Sequence, residues 1–249
     1  MNYDFCSFNI RGLHNKISFA KDFINNLKLS FVAFLETRVK ERDALHISAA
    51  IHRHFQWCFN YQHHQNGRIW VGWNPNFWTV TQLFSTAQQI TFLVVKKSDN
   101  TSFVLTIVYA YNERVDRRNL WVDLIHINES IVAPGQDSAW CILGDFNSFL
   151  TSNETTGDLP RDHRSISEFR NCLNHIGVTD VSFTGEFFTW RDSSTNTTLM
   201  RKLDRVLVNE NWLNFFDMSK AVFLPRGLSD HCPACLLYTS PSPRDGATS

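Results

Sequence analysis

Apolar and polar positions along the chain fall into two patterns: short saturated runs, and stretches with apolar residues three or four apart. "FCSFNI" near the N-terminus predicts a first strand, and Phe19, Phe23 and Leu27 follow at four-residue spacing, one face of a helix. "FVAFLE" is apolar throughout until its terminal glutamate, as expected of a strand covered on both faces. Residues 41–54 fit a helix. A strand-rich middle comes next: "FQWCFNY", "GRIWVGW", "WTVTQLF", "ITFLVVKK" and "SFVLTIVYAY", the last two joined by a hairpin at "KKSDNTS". "RRNLWVDLIHINESI" predicts a helix, "APGQDSA" a loop and "CILGDF" a strand. Ser165 and Glu168 match a capping box, and Phe169, Cys172, Leu173 and Ile176 form a helix face that Gly177 can end. "GEFFTWRD", "KLDRVLVN" and "AVFLPRG" supply late strands or turns. Strands in both halves with helices between them predict an α/β (α+β) fold, two packed sheets with helices outside.

Composition narrows the class. At 249 residues and 43% hydrophobic, the chain fits one sizeable domain. Lys plus Arg and Asp plus Glu both number 24, so the global basic surplus of many nucleic-acid binders is missing, while a local basic face remains possible. The six cysteines follow no metal-binding spacing; Cys6 and Cys141 sit in apolar runs and read as core thiols of a reducing compartment. No run reaches membrane-spanning length and no signal-peptide pattern opens the chain. The expectation is a soluble, intracellular protein without a membrane or an obligate protein partner, nuclear if functional. Residues 235–249, "CLLYTSPSPRDGATS", lack periodicity, and the first eleven resemble a translated sequencing-library adaptor. The domain is therefore expected at 1–234, with 235–249 a non-native tail. The strand after His231 should then stop near Ala234, leaving the fold marginally stable.

The chemistry lies where apolar runs end. Asn9 interrupts "SFNIRGL", Glu36 ends "FVAFLE", Tyr109 ends "VLTIVYA", and Asp145 and Asn147 follow "CILG". Asp204 sits in "KLDRVLV", and Asp230 and His231 in "LSDHCP". If these strand ends share one edge of the sandwich, their side chains converge on one cleft. Such a set suits metal-assisted hydrolysis of a phosphate ester, with oxygen ligands that favour Mg²⁺ or Mn²⁺. Asp145 would orient or deprotonate the attacking water, and His231, fixed by Asp204, would hydrogen-bond the phosphate. Asn147 and Tyr109 would meet the equatorial oxygens. Arg38, Lys40 and Arg42, close behind Glu36, could rim the site and position phosphate.

Together "SFNIRGL", "LETRV", "VYAYN", "GDFN", "FTW", "LDRVLV" and "LSDHCP" resemble the endonuclease/exonuclease/phosphatase superfamily, with the nearest likeness to the endonuclease domain of plant-type LINE (non-LTR) retrotransposon proteins. The resemblance spans residues 3–234. It implies a four-layer α/β sandwich of two mixed sheets flanked by helices, a divalent-metal-dependent DNA-nicking activity, and a reverse transcriptase domain downstream in the full-length element. It also implies Glu36 as metal ligand with Asn9 beside it, Asp230 as a second metal-side carboxylate, and Thr189 as a polar residue near the substrate. Two departures stand out. "YAYN" carries Tyr111 where the family usually has proline, which should loosen a loop. Arg201, a substrate-binding candidate, occupies the place of an aromatic residue in the abasic-site repair enzymes, which argues against a stacked pocket for an extruded abasic sugar. A repair nuclease, a lipid or inositol phosphatase, or an inactive truncated fragment remain the alternatives.

Two further features have plainer readings. His63 and His64 are adjacent and belong in a loop, because strand neighbours face opposite ways. Trp70 and Trp73 should likewise face opposite ways, one in the core and the other free to contact DNA.

Overall fold

A computed structural model describes residues 4–132, 138–157, 163–192 and 199–238. In the first half the elements are β1 (Phe5–Asn9), α1 (Ile17–Leu27), β2 (Phe31–Leu35), α2 (Glu41–Ile51), β3 (Gln56–Phe59), β4 (Ile69–Trp73), β5 (Trp78–Ser85), β6 (Gln89–Lys96) and β7 (Ser102–Tyr109). Next come α3 (Arg114–Ile127), β8 (Trp140–Asp145), α4 (His163–Ile176), β9 (Val178–Asp180), β10 (Phe183–Gly185) and β11 (Trp190–Arg191). The last are β12 (Met200–Arg201), β13 (Asp204–Asn209), α5 (Glu210–Phe215), β14 (Lys220–Phe223) and β15 (Ala234–Leu237).

Two mixed sheets form the centre, one in the order β10-β14-β15-β1-β2-β4-β3 and the other β5-β6-β7-β8-β13-β9; β11 and β12 pair separately. Strand parity divides their side chains. Phe5, Phe31, Ala33, Leu35, Leu105, Ile107, Leu143 and Val206 fill the space between the sheets. The alternate residues Phe8, Val32 and Phe34 meet α1 and α2, while Val104, Val108, Ile142 and Leu207 meet α3 and α4. Saturated strands are needed at the centre because β1, β2, β8 and β13 are buried on both faces, whereas β5, β9 and β10 at the edges expose one or more residues. This is the expected α/β sandwich, helices outside and two mixed sheets within.

Several local expectations change. Trp70 and Trp73 do face opposite ways, but both are buried: Trp70 in the α1–α2 layer and Trp73 between the sheets, so neither is free for DNA. Ser165 lies inside α4 rather than capping it, and Glu168 pairs with Arg114 and Arg118 of α3. The capping box is made instead by Thr151 and Glu154, around a short turn of 3₁₀ helix. His63 and His64 occupy a turn, as expected. Cys141 is a buried thiol, but Cys6 forms a disulfide with Cys235, its register partner across β1 and β15.

The strand expected to stop near Ala234 runs through Leu237, between β1 and β14. Cys235 and Leu236 are fully buried, and Tyr238 packs on Phe5 and Phe216. Four apolar residues suffice to fill this interior slot, and Cys-Leu-Leu supplies three of them. The sheet therefore keeps its member. Most of the "APGQDSA" loop and the tail from 239 onward lie outside the described residues.

Candidate functional site

The site is built by strand parity. Asn9, Tyr109 and Asp145 continue the inward-facing series of β1, β7 and β8, so each points into the gap between the sheets where the apolar filling ends. Because β1 runs parallel to β2, and β7 to β8, these ends lie on one edge. Asp204 starts β13, which is antiparallel to β8, and its register partner is Asp145. β15 runs antiparallel to β1 with Ala234 opposite Ser7, which brings the preceding Asp230 and His231 to the Asn9 end. Residues 222 apart in the chain thereby meet.

The result is a cleft of about 330 Å³ whose lining includes Asn9, Glu36, Arg38, Tyr109, Asp145, Asn147, Arg201, Asp230 and His231. Asn9 Nδ2 donates to Asp145 Oδ2 at 3.0 Å, a buried bond that ties one sheet to the other. His231 Nδ1 lies 2.9 Å from Asp204 Oδ2, and its Nε2 3.7 Å from Asp145 Oδ2. The Asn147 backbone N–H donates to Asp145 Oδ1 at 2.9 Å, and its amide nitrogen to the Ala110 carbonyl at 2.9 Å. Thr189 and Asp204 stand behind this surface. Thr189 is fully buried, and its hydroxyl accepts the backbone N–H groups of Leu203 and Asp204 at 3.0 and 2.9 Å. Expected beside the substrate, Thr189 instead anchors the start of β13 and so the Asp204 carboxylate.

Burial and charge shape the protonation of the pocket. Burial raises the proton affinity of Asp145; the His231 charge opposes this and the Asp204 carboxylate adds to it. For His231 burial alone would favour the neutral ring, but Asp204 and Asp145 outweigh it and hold the imidazolium above the ordinary histidine range. Tyr109 is pushed up by burial and then by the Glu36 and Asp145 charges, so its hydroxyl keeps its proton and serves as a donor.

The oxygens of Glu36, Asp230 and Asn9 are the hard donors that Mg²⁺ and Mn²⁺ take. Both rim carboxylates already attract a cation here: Arg38 pairs with Glu36 and Arg11 with Asp230. Asp145, Asp204 and His231 also form a buried group able to hold a metal ion, with ligand atoms all within 4.8 Å of one another. The first set fits a hard cation better, since in the second the imidazole is committed to its two carboxylates.

Other lining residues lie within the quoted motifs but were not singled out as site residues. Trp190 faces the cleft, and its indole N–H donates to Asp230 Oδ2 at 3.0 Å; the Arg201 guanidinium lies 5.7 Å from its ring. Arg11, Asn112 and Leu203 complete the wall. Arg68 supports the site from behind. Its guanidinium is sandwiched between the rings of Tyr109 and Tyr111, 4.2 and 4.3 Å from their centres. It also donates to the carbonyls of Ala87 and Tyr109 at 3.0 Å. Tyr111 therefore braces the loop that its departure from proline was expected to loosen. The clue was the register: Ile69 pairs with Leu35, which puts Arg68 beside Glu36. Lys40 and Arg42, expected on the rim, are exposed and do not line the cleft; Arg38 does.

No curated protein matches this sequence significantly. Solved structures share its fold. The endonuclease domain of TRAS1, a telomere-specific non-LTR retrotransposon, superposes with a TM-score of 0.70 at 14% identity, covering 95% of this chain and 98% of that chain. The AP endonuclease LMAP from Leishmania major gives 0.74 at 14% identity over 95% and 88%. A 3′ phosphatase, NExo from Neisseria, bound to product DNA hairpin, gives 0.68 at 14% over 95% and 99%. At such identities the likeness speaks for the fold alone. The sequence itself matches the endonuclease/exonuclease/phosphatase family across residues 6–231, a span that takes in every strand end of the cleft, and the chain belongs to that family.

Proposed function

We propose that the protein is a divalent-metal-dependent phosphodiester hydrolase that nicks DNA, the endonuclease of a non-LTR retrotransposon. One observation carries the reading: strand ends from both sheets deliver Asn9, Asp145, Asp204 and His231 into a single hydrogen-bonded cluster beside two rim carboxylates. The retroelement assignment draws support from the sequence motifs and from a fold coextensive with the TRAS1 domain.

In this reading Glu36, Asp230 and the Asn9 amide oxygen would hold Mg²⁺ or Mn²⁺. When bound, the cation polarises a phosphoryl oxygen and offsets charge on the leaving oxygen. The chain's own groups do the rest. Asp145, its proton affinity raised by burial, orients a water on the phosphorus and takes its proton. The His231 imidazolium, held by Asp204, donates to a non-bridging oxygen as negative charge accumulates. The Tyr109 hydroxyl and the Asn147 amide add donors on the same face. Asn9, bonded to Asp145, keeps the base from turning away.

The test is nicking of supercoiled plasmid with Mg²⁺ by the native protein, Asp145→Ala and His231→Ala. An abasic oligonucleotide and a small phosphomonoester serve as parallel substrates. The expected result is nicking by the native protein alone. Cleavage confined to abasic DNA would make it a repair nuclease, and turnover of the monoester alone a phosphatase. Equal nicking by all three proteins would remove the site assignment.

A further inference from the structure

A second cleft, of about 590 Å³, adjoins the first and shares Arg11 and Asp230 with it. Its other side is formed by Arg191 and Arg226, with Asp192 and the exposed Leu228. The lining sets three arginines against two aspartates, a surplus of one positive charge in a chain whose charges balance overall. Their environments differ in an informative way. Asp230 is already taken by Arg11 and by the Trp190 indole. Arg226 is fixed through one nitrogen, Nη1, which donates to the Phe188 carbonyl at 3.0 Å and lies 3.8 Å from Cys232 Sγ. The Arg191 guanidinium has no protein partner among the described residues and is exposed. Arg11 is committed to Asp230, whereas Arg191 and Arg226 make no ion pair with an acid among the described residues, so these two charges are available to an outside anion.

Resting on the DNA-nicking reading, we infer that this cleft is the track for the DNA strand next to the scissile phosphate, with Arg191 and Arg226 each engaging a backbone phosphate. A strand carries a phosphate about every 3.4 Å of helix axis, so a strand seated in the first cleft must cross one of its walls within a nucleotide or two. The Arg11–Asp230 wall opens onto a basic surface. Guanidinium forks match phosphate oxygens in pairs and bind them without regard to sequence. Leu228 beside them offers apolar surface to a deoxyribose. The cleft would thus set affinity and orientation, and the first cleft the chemistry.

The experiment is a salt titration of binding to a fluorescent intact duplex in EDTA, which separates binding from cleavage. It compares the native protein with Arg191→Ala, Arg191→Glu and Arg226→Gln. Each phosphate contact contributes about 0.9 to the slope of log affinity against log salt, which amounts to about 8-fold in affinity at 0.1 M. Arg191→Ala should lower the slope by about one and affinity by about that factor, and Arg191→Glu should lower affinity further. Arg191 is exposed and unpaired, so melting temperature should hold, which keeps the result free of unfolding. Unchanged slope and affinity in Arg191→Glu and Arg226→Gln, with the native protein binding DNA normally, would overturn the track and leave the nuclease reading intact. Absence of salt-dependent binding by the native protein would overturn both.

Discussion

Gly144 offers a quantitative link between packing and the proposed chemistry. It precedes Asp145 in β8, and its register partner across the parallel ladder is Val108 of β7. Its φ of +148° lies in a region that side chains rarely adopt, and an added Cβ would stand 2.0 Å from the Val108 carbonyl oxygen. That is roughly 1.4 Å short of ordinary contact, and the obstacle is backbone rather than a side chain that can turn aside. β8 lies between β7 and β13, so it has no free side toward which to move. For Gly144→Ala, overpacking costs about 1–3 kcal/mol, and forcing this backbone conformation on alanine costs about 1–3 kcal/mol more. A central value of about 4 kcal/mol in a domain this size lowers the melting temperature by roughly 8–16 °C. The strain falls on the peptide that carries Asp145, and misplacing a reacting group by about 1 Å can slow turnover about 100-fold.

Gly185 supplies an internal comparison. Its φ is +93°, and a Cβ there would meet the Phe223 carbonyl at the same 2.0 Å, but it lies on the edge strand β10, which can shift outward. Gly185→Ala should therefore destabilise less and leave nicking closer to native. Thermal melts by circular dichroism, with nicking measured well below every midpoint, test both parts. A Gly144→Ala protein that melts within a degree or so of native and nicks at the native rate would refute the reasoning.

Four further outcomes follow from the site. Asp145→Asn should slow nicking by about 10²–10⁴-fold, the usual worth of a general base, and His231→Gln by about 10²–10³-fold, the usual worth of one donor to a developing oxyanion, both without loss of duplex binding in EDTA; near-native rates would exclude both roles. The imidazolium of His231 is present below its raised pKa and lost as pH rises through it, so activity should fall on the alkaline side. Asp204→Asn should move that limb toward lower pH, and an unmoved limb would count against the pairing. Arg68→Lys keeps the charge but loses the planar stack and the fork to backbone carbonyls, and should destabilise by about 1–3 kcal/mol; Tyr111→Phe, which keeps the ring, should melt as native does. Chelation should abolish nicking and Mg²⁺ or Mn²⁺ restore it, whereas nicking that persists in EDTA would contradict the roles given to Glu36 and Asp230.

Most of the candidate site was legible because a saturated strand makes any polar residue conspicuous. Asn9, Tyr109 and Asp145 end apolar runs in phase with their inward-facing neighbours, and phase alone puts them in the gap between the sheets. The failures share a different cause. Thr189 lies just before a two-residue strand, too short for parity to say which way its hydroxyl points. Ser165 and Glu168 have capping-box spacing, but three residues also separate neighbours on one face of a helix interior, and nothing local tells the two apart. Thr151 and Glu154 have the same spacing and do form the box. One of Trp70 and Trp73 was open to a DNA role because burial of both strand faces depends on what covers the sheet. The pairing of Cys6 with Cys235 is a matter of register between strands more than 200 residues apart.

The remaining part of the site, its backbone, explains why the cleft is polar at its rim and not merely at its floor. Six non-glycine residues among those described have positive φ, and four of them line the cleft: Arg11, Glu36, Arg38 and Asn147, at 50°, 54°, 55° and 45°. The left-handed conformation disfavours such residues by about 1–2 kcal/mol each, asparagine least, so it persists only where neighbours enforce it. Here the enforcement is visible. The Gly12 and Leu13 N–H groups donate to the carbonyls of Glu36 and Thr37 at 2.8 Å, and the Glu36 N–H donates to the Arg68 carbonyl at 2.8 Å. These bonds lace the loops after β1 and β2 to each other and to the start of β4. A left-handed residue at a strand's end breaks the alternation of that strand and redirects the side chains that follow. Parity alone would send the residue after Leu35 toward the α1–α2 layer, where a carboxylate would be buried among apolar groups. The turn at Glu36 brings it to the cleft instead. The strain is thus the means by which a sheet edge presents adjacent, rather than alternate, residues to one ligand.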